Sequence, residues 1–598
     1  MPGIVGIIGK GPRAKHEGDL KLMLDCMMHE PFYGSGTYVN ESLGVYVGWT
    51  SHHDSFNDCL PAMNGSKDVI LVFAGEDFSD ASALRRKASG LVARYEENGL
   101  GFIKELNGWF AGVLIDLRTA TVILFNDRYG MQRIYVHEVE QECLFGSEAK
   151  SLLRVRPALR RLDERGLGEL ISCNCVLEGR TIFPGISLLP GGSAWKWDKG
   201  NRVRRDGYFK PAEWEALSPI DAHTFLDELL STVTTVIPRY FQEKGKVGMS
   251  LTGGLDSRMM MACLKPAPGE VPCYTFGGKK DMLDITIARQ VAEVCGQRHS
   301  VVRLDSSFFA EFPRLAEKTI YITDGYLDVA NTHDMFFNRL ARSIAPIRVT
   351  GKFGSEVIRD HTMFNAGEYQ GTLFVPELKQ FINNAVATLG KIKRGHPLSV
   401  AVFMDFPWRE YNKIILEESQ SILRSPYMDN DLVELMYRAP AGIRSSNQPQ
   451  RQIIKECNPN LGAIISDRGY GEETNPVVSR LLELYYYALF KADYTYVYAL
   501  PHWLTRLDTM VMTINGGVPL IGGSQKFEYY RIWYRRELAS YVKEVLLDTQ
   551  TVKRPYFDRK VLEMMVKRHT QGTHNYMNEI TKALSLELTH RLLIDACD

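Results

Sequence analysis

Ser250-Leu251-Thr252-Gly253-Gly254-Leu255-Asp256-Ser257 is the stretch of this chain whose residue types and spacing point most sharply to chemistry. A strand pattern, Lys246 to Leu251, runs into it, and a helix pattern, Leu255 to Leu264, runs out of it. The two glycines let backbone approach a ligand without a Cβ clash. Thr252 and Ser257 offer hydroxyls, and the start of the helix points free N–H groups at an anion. Asp256 would repel a phosphate unless a cation lay between them, so the loop implies Mg²⁺. A plain Gly-Gly turn with a capping Asp is the bland alternative, and the strand–loop–helix context argues against it.

The elements around this loop alternate. Asp221 is placed to cap a helix with Phe225, Leu229, Leu230, Val233, Val236 and Ile237 on one face. After it come strand Lys246 to Leu251, helix Leu255 to Leu264, strand Val271 to Phe276 and helix Met282 to Cys295, then strands Val301 to Leu304 and Ile347 to Thr350. That alternation predicts a parallel, doubly wound sheet. From about Leu373 the pattern is helical, and the last stretch of about 100 residues is aromatic-rich without a clear assignment. Before the loop, residues 1–208 read as an α+β layered domain. Strands are expected at Asp68 to Phe73, Trp109 to Asp116 and Thr121 to Phe125, and helices near Asp19 to Met28 and Ser82 to Asn98. Tyr208 to Pro219 reads as a linker, giving two domains, 1–208 and 220–598.

Composition narrows the partners. The 598 residues carry 71 Lys+Arg and 71 Asp+Glu, so no net field favours nucleic acid or an anionic membrane. With 45% hydrophobic and 24% charged residues the chain is globular. No apolar run approaches the ~18 residues of a membrane span. The amino-terminal Met1 to Gly9 lacks a basic region and a long apolar run and reads as a buried strand rather than an export signal. Ten scattered cysteines, with Cys173 and Cys175 the one close pair and no zinc spacing, fit a reducing cytoplasm.

The Gly-Gly loop resembles the S-G-G-x-D-S pyrophosphate loop of the adenine-nucleotide α-hydrolase superfamily, with Thr252 at a Ser position. Other segments follow in an order similar to the asparagine synthetase family: Leu106 to Ala111, Asn126 to Gly130, Phe145 to Lys150 and Leu189 to Gly192, then Asp284 to His299, Gly351 to Glu356, Ser425 to Asp429 and Asp467 to Gly471. The resemblance implies an Ntn-like αββα sandwich of the class II glutamine amidotransferase type, followed by an α/β synthetase (PP-loop) domain with a helical C-terminal part. It implies ATP and Mg²⁺, with Ser250, Leu251, Thr252, Gly253, Gly254, Asp256, Ser257, Phe276 and Gly351 at the nucleotide. Asp256 and Glu356 would hold the metal, and Glu356 and Arg468 would serve catalysis.

Two departures matter. Where the family exposes a nucleophilic Cys after removal of Met1, this chain has Pro2, which has no thiol. The family's H-R-G-P-D appears as His29-Glu30-Pro31-Phe32, and its N-G-E as Ala74-Gly75-Glu76. Cys26 lies in a helical pattern and reads as core. The family's G-E-G-x-D-E appears as Gly351-Lys352-Phe353-Gly354-Ser355-Glu356, which leaves Glu356 as the carboxylate to pair with Asp256. The β-lactam-forming branch has a Tyr in this loop; Phe353 or Lys352 stands there, so the base for the amine is unassigned. Arg468 occupies the place of a family Lys and can bind phosphate oxygens bidentately.

The expectation is an AMP-forming ligase that adenylates a small-molecule carboxylate and passes ammonia or an amine to it, with glutaminase activity lost. It would be cytoplasmic, without nucleic acid or membrane, and a homodimer is compatible with it. The alternative is a catalytically reduced pseudo-enzyme that binds nucleotide as a scaffold or regulator. RNA modification by the same superfamily is disfavoured by the zero net charge.

Overall fold

The computed structural model describes residues 2–53, 60–79, 87–139, 142–198, 201–243, 245–278, 282–367, 369, 371–471, 476–514 and 528–595. Its first part is built on two six-stranded antiparallel sheets. In spatial order one is Ser187–Leu188, Tyr135–Val139, Glu142–Gly146, Gly3–Ile8, Val45–His52 and Tyr33–Asn40. The other is Asn201–Gly207, Ser193–Asp198, Thr121–Asn126, Phe110–Asp116, Val69–Gly75 and Ala62–Met63. Side chains alternate across each strand. Ile4 and Ile8 therefore meet Ile70 and Val72 between the sheets. Val5 and Ile7 face outward onto Leu20, Met23 and Leu24 of helix Arg13–Asp25. Val69, Leu71 and Phe73 face Leu91 and Val92 of helix Ala88–Asn98. The result is four layers, helix–sheet–sheet–helix. Both faces of the inner strands are buried, so they read as continuous apolar runs.

The remainder is organised by a five-stranded parallel sheet in the order His299–Arg303, Cys273–Gly277, Val247–Ser250, Ile347–Thr350, Ile422–Arg424. The fifth strand, only three residues long, escaped the sequence reading. Asp221 caps helix Ala222–Arg239 by accepting hydrogen bonds from the backbone N–H groups of His223 and Thr224, as expected. Helix Leu255–Leu264 and strand Ile347–Thr350 fall where they were expected. The expected helix near Asp19 to Met28 starts earlier, at Arg13, and the expected linker contains a short helix, Pro211–Glu215, begun by proline at its first position. Part of the expected helix Ser82 to Asn98 lies outside the described residues; the described part is Ala88–Asn98. Helix Pro476–Tyr498 falls in the stretch expected to be helical, and the described part of the aromatic-rich tail is helical too, with His502–Ile514, Arg559–Thr570 and Met577–Thr589 among its helices. No helix of the described residues is long and apolar enough to cross a membrane.

The two parts share buried polar contacts. The Arg133 guanidinium donates to Asn412 Oδ1 at 3.1 Å and to the Trp408 carbonyl at 3.3 Å, and lies over the Tyr411 ring at 4.3 Å. Asp324 accepts from the backbone N–H groups of Ala149 and Lys150 at 2.6 and 3.1 Å. Asn430 donates its backbone N–H to Asn107 Oδ1 and its side-chain N–H to the Leu106 carbonyl. Leaving any such group buried without its partner costs about 1–3 kcal/mol, so this seam is specific as well as apolar.

His52 belongs to the seam: its Nε2–H donates to the Glu418 carbonyl at 2.8 Å. In the second part, His569 lies by the Arg531 carbonyl through Nε2 and accepts from the Tyr576 N–H through Nδ1. Burial lowers both to about 3. A histidine whose folded pKa is depressed stabilises the fold above its unfolded pKa of about 6.5, and that stability is lost as pH falls from there toward 3. Thermal unfolding is therefore expected to weaken below about pH 6.5, by up to roughly 1.4 kcal/mol per pH unit for each group. His569→Gln should flatten that slope, as read from melting temperatures across the acid range.

Candidate functional site

A parallel sheet whose strand order reverses beside its first strand opens a crevice at the carboxyl ends of the strands on either side of the switch. Here those strands are Val247–Ser250 and Ile347–Thr350. The first is followed by the Gly-Gly loop and the second by Gly351 to Glu356, so topology alone brings together the two segments singled out in the sequence. Helix Leu255–Leu264 starts at Gly254 with no side-chain cap, leaving its first N–H groups without the usual partner. Within the loop, Ser257 Oγ donates to the Thr252 carbonyl at 3.3 Å and accepts from the Thr252 N–H at 3.2 Å. Thr252 Oγ1 lies 3.1 Å from Ser257 Oγ and accepts from the Gly254 N–H at 3.4 Å. The two hydroxyls hold the loop's shape.

Glycine is required where the loops touch. A Cβ on Gly351 would stand 2.9 Å from the Ser257 nitrogen, and one on Gly354 would stand 2.7 Å from Asp256 Cγ. Asp256 is thus held at the junction. Its Oδ2 accepts from Ser355 Oγ at 2.9 Å and its Oδ1 from Gln450 Nε2 at 2.7 Å, with the Arg359 guanidinium 3.5 Å away. Tyr427 donates its hydroxyl to the Asp256 carbonyl at 2.7 Å. Ser355 therefore orients Asp256. Burial pushes the Glu356 carboxyl up to about 8, and the carboxylates of Glu410, Asp256 and Asp405 push the same way. Burial and neighbouring carboxylates both favour the protonated form of Glu356.

Among the described residues no group of three or more His, Cys, Asp or Glu is arranged to hold a metal ion. Mg²⁺ often uses only one or two carboxylates and completes its shell with phosphate oxygens and water, so Asp256 and Glu356 with a bound polyphosphate fit it in number and type. The glycine contacts, the uncapped helix start and the raised Glu356 together fit an anion–cation pair better than either alone.

The other expected residues divide. Ser250 Oγ accepts from Arg348 Nε at 3.1 Å, and Leu251 is buried in the core with its N–H on the Tyr274 carbonyl. Both anchor the strand end. The Phe276 ring is buried against Phe337 at 4.9 Å with Arg348 over its other neighbourhood at 4.8 Å, so only its backbone is placed at a strand end. Arg468 is not brought to the loop: its guanidinium lies 3.7 Å from the Phe490 ring centroid on helix Pro476–Tyr498, and its Nε lies 3.7 Å from Asp467. The neighbouring Asp467 touches the loop instead, donating its N–H to the Gly253 carbonyl at 3.2 Å. Burial, helped by Asp284 and Asp256, raises its carboxyl to about 6.

Sequence reasoning missed four groups here. Gln450, Arg359 and Arg258 lie in helices with no motif to flag them. Arg258 is almost wholly buried and donates to the Gly253 carbonyl at 3.4 Å, and burial lowers it to about 10. Asp284, noted but given no role, accepts the Gly253 N–H at 2.6 Å.

At the amino terminus, Pro2 lines a cavity between the two parts. The residues that resemble glutamine contacts are committed elsewhere. Glu76 accepts two hydrogen bonds from Arg424, at 2.8 and 2.5 Å. Glu30 accepts from Lys318 and Gln420, and His29 pairs with the buried Glu148. Ala74 is buried within its strand. Cys26 closes helix Arg13–Asp25, partly buried, and burial raises its thiol pKa.

A double antiparallel sheet is thus joined to a parallel sheet with a glycine-lined crevice at its switch point. Residues 1–209 match the glutamine amidotransferase domain model and residues 229–357 the asparagine synthase model. Asparagine synthetase [glutamine-hydrolyzing] 1 of Bacillus subtilis is 20% identical over 478 residues, covering 77% of this chain and 71% of that protein. Amidase chyE of Penicillium rubens is 31% identical over 285 residues, covering 43% of this chain and 41% of that one. A glutamine phosphoribosylpyrophosphate amidotransferase of B. subtilis, solved with ADP and GMP, aligns over 50% of this chain and 65% of that chain at 10% identity and a TM-score of 0.23. The chain is thus similar to asparagine synthetases in both of its parts.

The contact at Gly354 gives a test that leaves every polar group in place. Gly354→Ala must displace Asp256, so Mg-ATP binding is expected to weaken by roughly tenfold or more, about 1.4 kcal/mol. Gly390→Ala, which meets open space, is the control and should bind as wild type. Calorimetric titration with Mg-ATP reads both.

Proposed function

We propose that the chain is an ATP-dependent amide-forming ligase that cleaves ATP between its α and β phosphates. The carrying observation is Asp256, held by Ser355 and Gln450 at the uncapped start of helix Leu255–Leu264 against the glycines of the neighbouring loop. A substrate carboxylate attacks the α-phosphorus, forming an acyl-adenylate and releasing pyrophosphate, and ammonia or an amine then displaces AMP. The uncapped N–H groups at the start of helix Leu255–Leu264 bind the leaving pyrophosphate, in a loop whose shape the Thr252 and Ser257 hydroxyls hold. Mg²⁺ held by Asp256 and Glu356 would supply charge neutralisation on the phosphates. Ser355 and Gln450 orient Asp256 for that task. Arg468 would have to leave Phe490 to reach the phosphates, in a closing movement of the 466–471 loop. The contribution of the protein is positioning and charge stabilisation.

Residues 220–598 act in this reading as the ligase, and residues 1–208 as an amidotransferase-type scaffold without glutaminase activity. Pro2 offers no thiol, and Arg424 occupies Glu76. The names of the similar proteins support amide synthesis; they leave the acid and the amine open. A nucleotide-binding pseudo-enzyme is the second reading, favoured by Arg359 standing beside Asp256 where a cation is needed.

Turnover on a panel of carboxylic acids with ammonia is expected to yield AMP and pyrophosphate; ADP and phosphate would rule out adenylation. Asp256→Ala should abolish it. Glu356→Gln should lower kcat by on the order of tenfold or more and raise the Mg²⁺ requirement. With glutamine as the sole nitrogen source no glutamate should form, and Pro2→Cys alone should not restore its formation. Stoichiometric glutamate from the wild-type protein would show a working amidotransferase site.

A further inference from the structure

Asp256 stands between two helices. It lies at the start of helix Leu255–Leu264, and Gln450 reaches it from helix Gln448–Cys457 with a hydrogen bond of 2.7 Å. The same two helices meet again at their far ends, where Cys263 Sγ lies 3.9 Å from Cys457 Sγ. The two contacts are in register. Cys263 follows Asp256 by seven positions, and Cys457 follows Gln450 by the same seven. Seven residues are close to two turns, so each helix returns the same face to its partner about 10.5 Å further along its axis. The helices therefore run side by side in the same direction. Met260 and Ile453, both buried in one core, lie on the turns between the polar contact and the thiol contact.

Two neighbouring cysteines in a core can be no more than small apolar side chains. This pair has an asymmetry that packing does not require. Cys263 is 5% exposed, whereas Cys457, the last residue of its helix, is only partly buried. One thiol is open to an oxidant from solvent, and the other reaches only the first. Burial raises the Cys263 thiol pKa, with Cys457 adding to the rise and Lys265 opposing it. Cys263 therefore waits as a neutral thiol, and Cys457 is the side chain at which oxidation begins.

We infer that Cys263 and Cys457 form a reversible disulfide that ties the phosphate-loop helix to the helix of Gln450. The oxidant is a small hydroperoxide. The Cys457 sulfur takes one peroxide oxygen, the O–O bond breaks, and the other oxygen leaves with the proton that Cys457 gives up. The Cys263 sulfur then attacks the Cys457 sulfur, the S–O bond breaks, and the departing hydroxide takes the Cys263 proton as water. The two thiols lose two electrons and the peroxide bond gains them; a dithiol reductant reverses the change by exchange. A disulfide is about 2.05 Å long, so from 3.9 Å the sulfurs must close by roughly 1.9 Å. The packed side chains between the helices do not compress, so the helices pivot over Met260 and Ile453 and Gln450 is drawn off Asp256. The oxidised chain is the weaker binder of Mg-ATP.

The cross-link does not depend on the ligase reading; its effect on Mg-ATP does. The full chain is reduced, treated with hydrogen peroxide, blocked with N-ethylmaleimide and mapped by mass spectrometry without reduction. A linked peptide pair carrying Cys263 and Cys457 is expected, cleaved by dithiothreitol and missing in Cys457→Ser and Cys263→Ala. Oxidised Cys457 with no link to Cys263, or no reaction at either, in protein whose melting temperature shows it folded, would overturn the disulfide. Calorimetric titration then compares Mg-ATP binding before and after peroxide. Wild type is expected to weaken on the order of tenfold or more and to recover with dithiothreitol, while Cys457→Ser binds equally in both states. Equal affinity of linked and reduced wild type would overturn the coupling to Asp256. No Mg-ATP binding by the reduced protein would instead sink the ligase reading and leave the peptide map to decide the disulfide.

Discussion

The carboxylate of Asp256 is the point at which three separate segments of the chain meet, and the synthetase half is arranged around that meeting. Ser355 reaches it from the loop after the fourth strand, Gln450 from a helix about 200 positions further along, and its own backbone from the start of the phosphate-loop helix. The approach is so close that neither Gly351 nor Gly354 has room for a Cβ. Parallel strands cannot be joined by short turns, so the segments between them are long and return at the same edge of the sheet. The switch in strand order then leaves a crevice that only these two loops can fill. Charge follows from geometry: Asp256, Asp284 and Asp467 gather at the same loop, a set of carboxylates that the proposed Mg²⁺ would offset.

The first half of the chain keeps the layered architecture of its class while its polar residues serve other ends. Glu76 closes on Arg424, Glu30 on Lys318 and Gln420, and Asp324 ties down the start of helix Ala149–Val155 from the opposite part. Residues that resemble substrate contacts thus join two halves. Each replaced solvent with a partner that a single substitution would strand, which holds the relative placement of the halves more tightly than apolar packing alone would.

Much of this was legible in the residues. The loop was found because Gly-Gly, two hydroxyls and an Asp follow a strand and open a helix, a pattern whose meaning is local. The parallel sheet was found because apolar strand runs alternate with amphipathic helices. The strand Ile422–Arg424 was not, since three residues carry no period and its last one is charged; only the sheet edge beside Ile347–Thr350 makes it a strand. Arg468 was chosen by resemblance, and the stacking of its guanidinium on Phe490 is a tertiary contact within a stretch read only as helical. Gln450 and Arg359 were invisible for a similar reason. Their roles arise from contacts across tens to hundreds of residues, and no local spacing records such contacts.

The central claim is that the Gly-Gly loop holds the pyrophosphate end of ATP while Asp256 and Glu356 share the metal. A crystal structure of the chain soaked with ATP and Mg²⁺ tests it without knowledge of the acid or the amine. The account predicts the β and γ phosphates against the backbone N–H groups of residues 255–257, with Mg²⁺ at Asp256 and Glu356 and Arg359 turned away from Asp256. Nucleotide bound elsewhere, or phosphates seated with Arg359 still on Asp256 and no metal between, would contradict it.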